Sequence, residues 1–146
     1  MPIRHIKFMT ESNCWDNPQE LFVFGDNMAK YGRKGQAVIR LQPNSVGIPT
    51  KWQPKTTEDA YFKDDAADDP RVLRALKEAF TRIETHLAAG GVVNWPTDGV
   101  GTGLAQLSER APRVAAIIRG FKAMMIIKWG LEDPDAEMRQ RMGMSA

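Results

Sequence analysis

One segment constrains this chain more than any other: Val92-Val93-Asn94-Trp95-Pro96-Thr97-Asp98-Gly99-Val100-Gly101-Thr102-Gly103-Leu104. A short apolar run meets a proline, three glycines alternate, and a helix-like pattern follows. Alternating glycines leave backbone N–H groups free to converge on an anion, and the start of the next helix adds its positive end. Glycine loses more conformational entropy on folding than any other residue, so three in one loop point beyond simple chain reversal. The expected anion is a phosphate. The spacing is not Gly-x-Gly-x-x-Gly, and the Lys-Ser/Thr ending of a P-loop is missing, which argues against nucleoside triphosphate hydrolysis of that type. A tight turn with no ligand is the structural alternative.

Around this segment, short apolar runs alternate with helical patterns. Residues 3–8 read as a first strand, 10–19 as turn chemistry, and 20–24 as a strand buried on both faces that stops at Gly25. Residues 34–41 read as a short helix and 45–48 as a strand stopped by Pro49. The helix at 70–89 has the clearest signals: Val72, Leu76, Phe80, Ile83 and Leu87 recur at helical spacing, Asp69-Pro70 forms a start and Gly90-Gly91 a stop. A strand at 92–95 follows, then a helix at 104–119 interrupted by Pro112, then a final strand at 123–129. Short buried strands alternating with helices imply an α/β sheet covered on both faces. Ligands of such sheets bind beyond the carboxyl ends of the strands, and the unusual residues fall there. Phe24 precedes Gly25-Asp26-Asn27, Ile48 precedes Pro49-Thr50-Lys51-Trp52, and Trp95 precedes Pro96-Thr97-Asp98-Gly99.

The remaining signals narrow the class. A net charge of +2 carries no nucleic-acid footprint by itself. One cysteine, Cys14, excludes an internal disulfide, and no apolar stretch has the length of a membrane span, so the expectation is a cytoplasmic protein without a membrane anchor. Asp64, Asp65, Asp68 and Asp69 lack the glycine and spacing of a calcium loop and read as a solvated helix start; no metal and no cofactor are expected. Arg33, Lys34, Lys51, Lys55 and the tryptophans permit a different reading, a nucleic-acid or protein interaction module without catalysis.

Phe24-Gly25-Asp26-Asn27 with residues 32–37, then Ile48-Pro49-Thr50-Lys51, then residues 98–105 together resemble small proteins of the macrodomain superfamily. The resemblance covers most of residues 20–118, although Arg33-Lys34 stands where the family has a glycine nearer the helix. It implies a three-layer α/β/α macro-like domain with a mixed, largely parallel sheet over residues 1–132, and a tail or short helix at 133–146. It also implies a cleft for ADP-ribose or a related NAD-derived nucleotide, free or carried on an ADP-ribosylated macromolecule. Asn27 would face the distal ribose, with Gly25, Gly32 and Gly35 beside it, and Thr97, Gly99, Val100, Gly101, Thr102 and Gly103 would wrap the diphosphate. Thr50, Lys51 and Trp52 complete the expected ligand-binding set, Lys51 as a compact cation and Trp52 as a stacking surface. Some relatives hydrolyse ADP-ribosyl linkages or phosphate esters and others only bind. If hydrolysis occurs, Asp26 and Asp98 are the carboxylates expected to orient or activate water.

Overall fold

Strand β2 (Leu21–Asn27) is buried almost from end to end because helices lie on both of its faces. It sits inside a four-stranded parallel sheet with β1 (Ile3–Ile6), β3 (Ser45–Lys51) and β4 (Val93–Pro96), in the order β1-β4-β2-β3. The computed structural model describes residues 3–100, 106–131 and 143. Among the described residues the antiparallel component is a single bridge between Lys51 and Tyr61.

Alternation along the strands sorts the core into two clusters. Leu21, Val23, Val46, Ile48, Val93 and Trp95 point to the face covered by helices α2 (Pro70–Ala88) and α4 (Pro112–Trp129). Phe22 and Phe24 point to the other, under helix α1 (Glu11–Asp16) and a 3-10 helix at Gly35–Ile39. The result is a three-layer α/β/α domain. Connections on the α1 face step from β1 toward β3, and the α2 connection steps back to β4 on the opposite face, as crossovers of one hand require. A short helix, α3 (Leu107–Arg110), precedes α4.

Helix α2 follows its sequence signals. Asp69 caps it by accepting from the Arg71 N–H at 2.9 Å, Pro70 takes the first turn, and Val72, Leu76, Ala79, Ile83 and Leu87 form the buried stripe. The neighbouring acids tie the α4 start to this region. Asp64 accepts from the Arg113 backbone N–H at 3.0 Å and from its Nε at 2.9 Å, while Asp68 accepts from Nη2 at 2.8 Å.

Four sequence expectations need correction. The run at 123–129 is not a strand but the second half of α4, where Val114, Ala115, Ile118, Phe121 and Met125 make one buried stripe at helical spacing. A continuous apolar run has no periodicity of its own, so the helix begun at Pro112 decides its conformation. The chain rejoins the sheet only afterwards, where Leu131 bridges Ile3 and the Ile3 N–H donates to the Gly130 carbonyl at 3.1 Å. Pro49 does not stop β3: Phe22 N–H donates to Asn44 O, so the outward positions of this edge strand are Ser45, Gly47 and Pro49, where a missing N–H breaks no rung. Gly25 likewise does not stop β2, which continues to Asn27. Residues 10–19 hold α1 rather than only turns, because Thr10 accepts the Asn13 N–H at 3.1 Å as an N-cap.

Among the described residues no helix is long and apolar enough to cross a membrane. Cys14 is buried, and desolvation together with the Glu11 charge pushes its thiol pKa up, away from a reactive thiolate.

Candidate functional site

β2 and β4 pair only through Leu21–Val93 and Phe22–Asn94, after which they part. Beyond that point their connections leave toward opposite faces, β2 to the 3-10 helix whose Ile39 packs with Phe22 and Phe24, and β4 to α3 and α4. Adjacent parallel strands whose connections diverge in this way open a crevice at their carboxyl ends, the usual ligand position of α/β sheets. Gly25, Asp26 and Asn27 line one side and Thr97, Asp98 and Gly99 stand on the other.

The gap is spanned by a side chain. The Gly25 N–H donates to Gln36 Oε1 at 2.9 Å, and Gln36 Nε2 donates to the Gly99 carbonyl at 3.2 Å. The loops singled out by sequence are thus brought together through Gln36, a residue of the 34–41 helix segment that carries no site role in the sequence reading.

The first loop is held by its own polar groups. Arg40 donates from Nε to the Gly32 carbonyl at 3.0 Å, from Nη2 to the Tyr31 carbonyl at 3.1 Å, and from Nη1 to Asp26 Oδ1. Asp26 Oδ1 also accepts the Asn27 N–H at 2.7 Å. Its other oxygen rests over Gly47, where any Cβ would come within 2.5 Å of it. Asp26 therefore organises the loop rather than facing the crevice with a free carboxylate. Thr50 is buried and donates to the Asp26 carbonyl at 3.0 Å. Gly32 adopts a φ of 91°, in the left-handed region, and leaves room for Pro54, which a Cβ would meet at 2.9 Å. Gly35 starts the 3-10 helix.

Asn27 differs from its neighbours. Its Nδ2 donates to the Tyr31 carbonyl at 2.8 Å, but its Oδ1 is buried with no donor among the described residues. The residue is 5% exposed and lines an open cavity of about 470 Å³ that runs from Asp26 along the outer edge of β3 to Arg82. This cavity is separate from the β2–β4 crevice: Gln36, Thr97, Asp98 and Gly99 do not line it.

Lys51, paired in register with Asn27, is also buried. Its Nζ donates to the Lys55 carbonyl at 2.5 Å and lies 4.4 Å from the Tyr61 ring centroid. Desolvation first, and the Arg110 guanidinium second, lower its pKa from the ordinary lysine value. Arg110, itself 4.1 Å from the Tyr61 ring, is held by Glu58. Trp52 is packed: its ring meets Phe62 edge-on at 5.0 Å and carries the Arg71 guanidinium at 5.0 Å, leaving less surface for stacking than expected.

On the far side, the turn after β4 closes through the Gly99 N–H, which donates to the Pro96 carbonyl at 2.9 Å. Thr97 and Asp98 are exposed at its tip, and the Thr97 N–H is tied to the Ile6 carbonyl at 2.8 Å. Val100 turns into the core. Gly101, Thr102 and Gly103 lie outside the described residues. Gln36, Arg40 and Tyr31 were missed as site residues. Only the repeated polar positions after Asn27 could have drawn attention to them.

These features define an α/β domain with a polar, side-chain-bridged crevice at a topological switch point. The chain belongs to DUF7831, a family of unknown function whose pattern matches residues 4–121 and so takes in both loops. No curated protein and no solved structure matches it.

Proposed function

We propose that this protein binds ADP-ribose or a related NAD-derived nucleotide at the carboxyl ends of β2 and β4. The observation that carries the reading is the buried Oδ1 of Asn27, which meets no donor among the described residues and stands at the carboxyl end of β2. Leaving such an acceptor unpaired costs about 1–3 kcal/mol, a deficit that a ribose hydroxyl would remove. The resemblance to macrodomains supports the same assignment, with Asn27 on the ribose and the glycine segment beginning at Gly99 around the diphosphate. Lys51 stands at the end of β3, with its Nζ held by the Lys55 carbonyl.

Binding is better supported than hydrolysis, because Asp26 Oδ1 already accepts from Arg40 and from the Asn27 N–H. Turnover, if present, would rest on Asp98. Calorimetry with ADP-ribose should give saturable heat that Asn27→Ala weakens. No heat and no thermal shift at millimolar ligand would sink the reading. Turnover of an ADP-ribosylated protein that survives both Asp26→Ala and Asp98→Ala would remove these carboxylates from any mechanism.

The nucleic-acid alternative draws on a dispersed set of cations. Arg33 lies 3.6 Å from Glu11, and Lys51 is turned inward. Steeply salt-dependent binding to oligonucleotides is the result that would favour it.

A further inference from the structure

We propose that Gln36 is a positioning residue whose carboxamide replaces a missing rung of the sheet and sets the gap between the two loops. The proposal rests on the crevice being the ligand site, but its structural half can be tested without any ligand. Leu21 N–H donates to Val92 O, so the backbone of Leu21, Val23 and Gly25 is directed toward β4. The strands part after Phe22, which leaves the Gly25 N–H without a strand carbonyl to meet. The Gln36 carboxamide has the same acceptor and donor as a peptide group, and it uses both. Oε1 takes the Gly25 N–H, and Nε2 serves the Gly99 carbonyl, 63 residues away in sequence.

A backbone rung would have closed the strands together. A side chain reaching in from the 3-10 helix holds them apart at a fixed separation, which is what a site needs if both loops are to meet one ligand. The residue type is specific. Leucine has the size without either polar group, and glutamate keeps the acceptor but, when ionised, presents a second acceptor to the Gly99 carbonyl.

Amide hydrogen exchange and ADP-ribose titration of the full chain test this with two variants. In Gln36→Ala, exchange of the Gly25 amide should accelerate by about tenfold or more, the loss of one hydrogen bond. ADP-ribose affinity should fall by a similar factor. In Gln36→Glu, the Gly25 amide should stay protected, because the carboxylate still accepts. Its affinity relative to wild type should be low near neutrality and recover as pH falls toward the ordinary glutamate pKa of about 4.3, where the protonated acid again donates to Gly99. Unchanged Gly25 exchange in Gln36→Ala would overturn the brace, whatever the ligand result. If exchange changes but both variants bind ADP-ribose like wild type, the brace is structural only and its positioning role fails. If wild type itself does not bind ADP-ribose, the nucleotide reading falls, and the exchange result still decides whether Gln36 holds the loops.

Discussion

On one face of the sheet, α2 and α4 press Val72, Leu76, Ile83, Leu87, Val114, Ile118 and Met125 onto the strands, and Phe80 stacks on Phe121 at 3.9 Å. On the other, a six-residue α1 and a 3-10 helix cover Phe22 and Phe24, with Met9, Cys14 and Ile39 as their buried partners among the described residues. Trp15 of α1 and Leu41, just past the 3-10 helix, stay exposed. The two faces divide the work. The thick face supplies apolar burial, and the thin one turns its side chains toward the loops, with Arg40 gripping Gly32, Tyr31 and Asp26 and Gln36 linking Gly25 to Gly99. Sparse apolar burial of this kind marks regions of low local stability.

The contrast can be broken most sharply on the thick face. Ile83 is fully buried there, and Ile83→Ala should cost about 4 kcal/mol through lost burial plus the cavity left behind. Urea unfolding with an unchanged slope would measure it, and a loss below about 1 kcal/mol would mean that face does not carry the fold. Next comes the ion pair on the thin face. Asp26→Ala should cost about 3 kcal/mol because it strands the Arg40 guanidinium, whose side chain is 11% exposed. Adding Arg40→Met should restore part of that loss. If the double variant is as unstable as the sum of the two singles, the pair is not coupled as described.

A smaller effect sharpens the comparison. Thr10→Ala removes the N-cap of α1 and should cost about 1 kcal/mol. Hydrogen exchange should quicken in α1 and leave α2 unchanged; equal acceleration in both would argue that the faces unfold as one unit. The smallest effect is a pH dependence on the thick side. The His5 Nε2 lies 2.6 Å from Lys122 Nζ, and burial followed by the Lys122 charge lowers the His5 pKa from its ordinary 6.5. The unfolded chain therefore takes up this proton at higher pH than the folded one. Stability from this site is complete above the unfolded value and is lost as pH falls through the lowered one. Wild type should lose melting temperature as pH is lowered from about 7 to 5, and His5→Gln should flatten that slope. An equal slope in both would exclude His5 as its source.

Helix α2 was legible from end to end, since Asp69, Pro70, the apolar stripe and Gly90 are local signals that agree. The central strands and both loops were legible for the same reason, with apolar runs ending at Gly25-Asp26-Asn27 and Pro96-Thr97-Asp98-Gly99. The second half of α4 was not, because seven successive residues with one charge among them suit either conformation until the packing partner is known. Pro49 was misread because its harmlessness depends on β3 lying at the edge. Residue type singled out Asp26 and Asn27, but only the structure gave their directions: Asp26 lies over Gly47 and against Arg40, and Asn27 Oδ1 meets no donor among the described residues.

The sequence by itself determined the α/β class, the start of α2 and the two loops at strand ends, because caps, turns and strand runs depend on neighbours a few residues away. It also placed an amide at Asn27 and glycines where the backbone must turn tightly. Only the tertiary structure decided that β2 and β4 part after two paired residues and that Gln36 fills the gap between them. Hydrogen bonds that join residues 25, 36 and 99 depend on strand order and on the face each crossover takes, and no local pattern in the chain encodes either.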